Sequence, residues 1–152
     1  MKRLNRALAV VSVAATTAAL SACSYLSPQT TEMPYDPADG VSTKVGEVAA
    51  HNLAIVASAK GGKGALTGAV VNTGSGTAQV SFAPKEGTAP STTVSVGSRE
   101  VVAIKDVTFD AVPSAPGTLT DIYVITSKDG KQLVSVPVVA PLGVYKDLGP
   151  KS

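Results

Sequence analysis

TAQVSFA, residues 77–83, sets Ala78, Val80 and Phe82 on one side of an extended chain and Thr77, Gln79 and Ser81 on the other. Side chains of a strand alternate between faces, so this period of two describes a strand half buried in a sheet. The reading extends outward to Thr92–Val96, Val101–Lys105, Asp121–Thr126 and Gln132–Val138, each near the usual strand length. Beyond residue 45 no helical period is sustained. VAAHNLAIVA, residues 48–57, has the alanines of a helix, but its β-branched end and the KGGKG that follows make it a strand.

Turn chemistry joins these segments into an antiparallel meander. KGGKG at 60–64 and KDG at 128–130 lie between apolar runs and supply the positive φ of tight hairpins. NTGSG at 72–76, APSTT at 89–93 and the Pro113/Pro116 region mark looser connections. The pattern predicts an all-β fold, an antiparallel β-sandwich of immunoglobulin-like or cupredoxin-like type with about seven strands over residues 45–148, and a tail at 149–152. The lack of tryptophan and of paired cysteines argues against an antibody-type domain. Phe82 and Tyr123 are the expected aromatic plugs of a thin Val/Ala core.

The N-terminus follows different rules. Lys2, Arg3 and Arg6 precede an uncharged run from Ala7 to Leu20, which is too short for a membrane span of about 20 apolar residues. A basic start, a short apolar stretch and a small-residue exit are the parts of a secretory signal, here residues 1–22. The exit, Leu20-Ser21-Ala22-Cys23, resembles the bacterial lipobox, which implies a diacylglyceryl group on Cys23 and cleavage before it. Two acyl chains at roughly 0.8 kcal/mol per buried methylene hold a protein on a bilayer without basic residues. Removing Lys2, Arg3 and Arg6 from 13 basic residues leaves 10 against 11 acidic ones, so nucleic acid is not an expected partner. Residues 23–44, broken by Pro28, Pro34, Pro37 and Gly40, read as the lipidated end and a tether whose YDPADG part could lie along the domain. Asp36 and Asp39 are too few for a calcium loop. The expected location is the extracytoplasmic face of the cell membrane, with the lipid bilayer as one partner and an envelope protein or cell-wall component as another.

The order of features resembles the small actinobacterial envelope lipoproteins of the Lpq type. The likeness is carried by the lipobox, the Thr/Pro-rich lead, VGEVAAHNLAIV, the L-x-G-x-V-x-N-x-G pattern from Leu66 to Gly74, the hairpin into VPVVAP, and YKDLGP. Those proteins are distantly similar to periplasmic copper chaperones of the PCu(A)C type, whose sandwiches bind Cu(I) through spaced methionines and histidines. Thioether sulfur and imidazole select Cu(I). The chain beyond residue 23 has one methionine, Met33, and one histidine, His51, which cannot enclose a metal, so no metal site and no cofactor is expected.

Catalysis finds no support in the sequence, and the chain reads as a non-enzyme. The lone histidine has no GxSxG elbow to serve, and GGKGA lacks the spacing and the Ser/Thr of a phosphate-binding loop. The remaining contact candidates are His51 with Asn52, on an early strand, and Tyr145, expected at the surface and paired with Tyr35. His51 is the one imidazole in the chain. The expected function is a membrane-anchored envelope lipoprotein acting as a binding or accessory module. A copper-chaperone-like protein with a lost or altered site, and a structural surface protein, are the alternatives.

Overall fold

The computed structural model describes residues 38–86 and 92–150. Leu20, Ser21, Ala22, Cys23, Met33 and Tyr35 lie outside the described residues. Nine strands are present among the described residues: β1 (Val41–Val45), β2 (Val48–Ala57), β3 (Gly64–Asn72), β4 (Ala78–Pro84), β5 (Val94–Val96), β6 (Val101–Ala103), β7 (Thr108–Phe109), β8 (Leu119–Thr126) and β9 (Gly130–Val139). The two beyond the expected seven are β1, inside the stretch read as tether, and the two-residue β7. No α-helix occurs among the described residues, and a 3₁₀ turn at Gly143–Tyr145 follows β9.

The strands form a β-sandwich. One sheet contains β1, β2, β3, β6 and β7, and the other β5, β4, β8 and β9 in that order. β1–β2–β3, β4–β5 and β8–β9 are neighbours in sequence and in space, and β6 and β7 both pair with β3, but the connections β3–β4, β5–β6 and β7–β8 cross between sheets, so the simple meander is corrected to a crossed arrangement. One pairing is parallel: the end of β9 runs beside β2, with Ile55 opposite Val138 and Val56 opposite Val139. The seam joins the two sheets along one side.

Alternation fills the space between them. In β4 Val80 and Phe82 are buried, and in β8 Thr120, Ile122, Val124 and Thr126 are. Leu53, Ile55, Leu66, Val70, Val96, Val136 and Val138 complete the core with Val107 and Val112 from the loops. Tyr123 does not plug this core. It lies between Ile122 and Val124 and therefore faces outward, where the Lys131 ammonium sits 4.4 Å from its ring centre.

The pattern from Leu66 to Gly74 is explained by packing. Leu66 and Val70 are core residues. Gly68 has φ +139° and faces a bulge in β2, where register shifts between His51 and Ala54. A Cβ on Gly68 would meet the His51 and Asn52 carbonyl oxygens at 2.8 and 3.0 Å. Asn72 is 2% exposed. Its Nδ2 donates to the carbonyls of Gly76 (2.6 Å), Gly97 (3.0 Å) and Val96 (3.2 Å), and its Oδ1 accepts from the Gly74 amide (2.9 Å). Its own amide donates to Glu100 (3.0 Å). One side chain thus binds the end of β3 to the end of β5 in the opposite sheet.

On the other side, β2 carries a strap. Ala54 and Val56 point away from the core and are absent from its cluster, yet they are 1% and 0% exposed. The chain leaves β9 beside Val56, and by Asp147–Pro150 it lines a groove with Ala65, Leu66 and Thr67, which pair with β2 from its far side. Residues 140–150 therefore run as a strap from the β9 side of β2 to its β3 side. The 3₁₀ turn is held by the amides of Tyr145 on Leu142 (3.0 Å), Lys146 on Gly143 (3.3 Å) and Leu148 on Tyr145 (3.1 Å). Tyr145 is half-buried, and its hydroxyl donates to Asp39 Oδ2 at 3.0 Å, tying the strap to the start of the described chain. The pairing expected with Tyr35 lies outside the described residues.

Two outcomes test these ties. Asn72→Leu leaves three carbonyls and one amide without their partner in a dry site, and should destabilise the full chain by about 3 kcal/mol or more in denaturant titration. Asn72→Asp, which keeps the volume but turns an oxygen toward the same carbonyls, should be no better tolerated. Burial, and next the Asp39 carboxylate, raise the Tyr145 phenol above its ordinary value of 10.0. The neutral phenol is the bound form, so the contact is complete below pH 10 and is lost as pH rises through the raised value. Absorbance titration at alkaline pH should show one late tyrosine, absent from Tyr145→Phe; an unchanged curve in that variant would exclude the latch.

Candidate functional site

His51 and Asn52 occupy the bulge of β2. Two residues of β2 must face one of β3 there, and Asn52 absorbs the mismatch with φ +52°, a left-handed conformation that asparagine tolerates better than most residues. Its Oδ1 accepts the Gly40 amide at 3.0 Å. A Cβ on Gly40 would lie 2.4 Å from the Asn52 carbonyl carbon, so only glycine fits there. Asn52 fastens the chain entering β1 onto β2, which is why the folded unit starts before residue 45.

His51 is exposed and its Nδ1 lies 3.1 Å from Ser42 Oγ. A hydroxyl that close to an imidazole is the first half of a nucleophile–base pair. The second half is missing among the described residues: no carboxylate bonds the ring, and neither residue lines any of the three grooves described below. No group of three or more His, Cys, Asp or Glu lies close enough to hold a metal ion among the described residues. The structure thus keeps His51 with Asn52, and leaves Tyr145 in the strap with Asp39.

The surface of the described residues includes three grooves of note. One, about 450 Å³, lies between β3 and the strap and is lined by Leu66, Ile104, Lys105, Asp106, Leu148 and Pro150 among others. A second, about 240 Å³, lies beside Lys85, Pro113 and Asp121, and a third, about 200 Å³, beside Asn72, Glu47, Thr126 and Lys128. In the third, Lys128 and Glu47 face each other at 3.5 Å, both well exposed, a pair worth little to stability. Every buried side-chain polar atom there has a partner, so no donor is left aimed at a ligand.

The outer face of β4, β8 and β9 is a polar ladder. Ser81 pairs with Thr93 (2.9 Å), Gln79 with Ser95 (3.1 Å), and Asp121 accepts from Ser135 (2.6 Å) and Lys85 (2.9 Å). The Ser135 hydroxyl first, and then Lys85, hold the Asp121 carboxyl below its ordinary value of 3.8, and Asp121 raises Lys85 in return. A lowered carboxyl favours the fold above its ordinary value and loses that effect as pH falls through the lowered one. Lys85 and Asp121 keep 48% and 33% of their side-chain surface in water, so the ladder describes a wet sheet face. The sequence reading missed it, because which residues stand opposite each other depends on the register of strands far apart in the chain.

No family model and no curated protein matches the chain. Solved structures do. The copper-bound PCuAC domain from PmoF2 superposes with a TM-score of 0.53 at 18% identity over 66% of this chain and 99% of that domain. The apo form of the PmoF2 domain gives 0.54 at 16% identity over 68% and 98%. The apo PCuAC domain from PmoF1 gives 0.52 at 14% identity over 66% and 100%. At these identities the likeness concerns the backbone arrangement: the folded unit of this chain is a β-sandwich similar to PCuAC domains.

Proposed function

We propose that this protein is an exported lipoprotein, anchored by diacylglyceryl on Cys23, whose PCuAC-like sandwich works as a non-enzymatic binding or accessory module in the cell envelope. The observation that carries the anchor is the order of parts: Lys2, Arg3 and Arg6, the uncharged run Ala7–Leu20, then Leu-Ser-Ala-Cys, all ahead of a folded unit whose first strand begins at Val41. A leader followed by a short lead and a single folded unit suits a domain held near a membrane. An envelope protein or cell-wall component is the partner class that such a location favours.

The module reading is supported by the surroundings of His51. Copper chaperoning needs several soft or imidazole ligands on one face. His51 has Ser42 as its hydrogen-bond neighbour, at 3.1 Å, and the chain's remaining soft side chains are Met1, Cys23 and Met33. The second reading, a metal chaperone with an altered site, is favoured by one observation, the likeness to a copper-bound PCuAC domain.

Two measurements separate these readings. Cys23→Ala should move the full-length protein out of the detergent-extracted membrane fraction, and processed but unlipidated protein retained in membranes would refute the anchor. Cu(I) titration of the lipidated protein should give no stoichiometric submicromolar binding and no change on His51→Ala. Tight binding abolished by that substitution would put the chaperone reading first.

A further inference from the structure

Large apolar side chains exposed singly, such as Val101 and Leu119, are ordinary on a protein surface. The strap differs, because it shows Leu142, Val144 and Leu148 within seven residues, at 73%, 82% and 46% exposure. These are not residues of a fraying end: the amides of Leu142, Tyr145, Lys146 and Leu148 are all bonded within the segment, and Gly149 returns to Pro141. A side chain of that size held out on a fixed turn has its ordering cost already met and its apolar surface still in water.

The position of the turn says what meets it. Tyr145 is bonded to Asp39, and Asp39 is sixteen residues from Cys23. At 3.3–3.6 Å per residue the lipid anchor can never be farther than roughly 55 Å from Asp39. The strap is thus the described element at which the tethered end enters the domain, and tethering keeps it at high effective concentration near the bilayer, where a weak contact suffices. Lys146 and Asp147 cancel in charge, so the contact is apolar and does not depend on anionic lipid. A second copy of the chain would need an interface of about 1,000 Å² or more, which two or three side chains on one turn do not supply.

From this we propose that the C-terminal strap is a second membrane contact, in which Leu142 and Val144 enter the interface of the same bilayer that holds the Cys23 lipid. The domain is then held in one orientation, strap down, with the β8–β9 hairpin at Lys128–Asp129 turned away by the length of β9, ten residues or about 30 Å. The proposal rests on the lipidated Cys23 of the preceding subsection.

The test uses the full lipidated chain, whose single natural thiol is consumed by lipid, so that an introduced cysteine takes a fluorophore alone. Val144→Cys and, as the far position, Lys128→Cys are labelled in phosphatidylcholine vesicles with and without lipid carrying a shallow spin label. Insertion by 5–10 Å, the usual depth of an interfacial contact, should quench position 144 roughly threefold more than position 128. Adding Leu142→Asp should abolish the difference while the protein stays on the vesicles. Equal quenching at both positions, or crosslinking of Val144→Cys between two copies in place of quenching, overturns the docking and leaves the anchor standing. A chain that carries no lipid and stays off the vesicles refutes the anchor, and the docking with it.

Discussion

The Asn72 carboxamide is the contact on which the sandwich depends. The strand path runs from β5 through β4, β8, β9 and β2 to β3 and β6, so it has two ends, and a core between two sheets is dry only if those ends meet. They meet at Asn72, whose amide hydrogens reach Val96 and Gly97 of the β5 end while its backbone amide reaches Glu100. Each of these bonds would be modest alone. Inside a site 2% exposed, the cost of leaving any of them unmade is the full desolvation of a polar group. A chain with one cysteine has no internal disulfide to do this, and the carboxamide is the non-covalent substitute.

The second closure is the parallel seam between β2 and β9, and it shapes β2 itself. From Leu53 to Ala57 every residue is buried, odd positions in the core cluster and even ones on the opposite face. Such a strand cannot show a period of two, since both faces are dry. Its first half, with His51 and Asn52 exposed, can. The bulge at Asn52 is the junction between the two regimes: it changes register by one residue and presents an oxygen that fixes Gly40.

These facts mark where the sequence was legible. In TAQVSFA and in DIYVIT alternation was enough to place the strands, because each has one wet face. Alternation left open which set turned inward in DIYVIT, and the aromatic Tyr123 drew the wrong assignment: Ile122 and Val124 fill the core, and Tyr123 lies outside under Lys131. The parallel seam was illegible, since its partners stand more than 80 residues apart and neither segment carries a mark of it. Asn72 was visible as a member of L-x-G-x-V-x-N-x-G, but its acceptors at Val96 and Gly97 are 24 and 25 residues further on, so the reason for an asparagine there comes only from the fold. β1 was hidden for a similar reason: VSTKV is a weak strand by composition and is held in place by pairing with β2 and by Asn52.

Of the contact candidates, Asn52 and Tyr145 turn out to hold the architecture, each fastening the chain around Asp39–Gly40 to a distant element. That convergence has a mechanical consequence. Force arriving from the N-terminal side reaches the domain where Asn52 holds Gly40 and Tyr145 holds Asp39, so it is shared between β2 and the strap before it reaches any core strand. Loss of the Tyr145 bond would leave Gly40 still clasped by Asn52, but it would free the strap from the chain that enters β1. The chain entering β1 thus links the bulge of β2 to the strap, and a change in how Asp39 and Gly40 are held is felt first at these two elements.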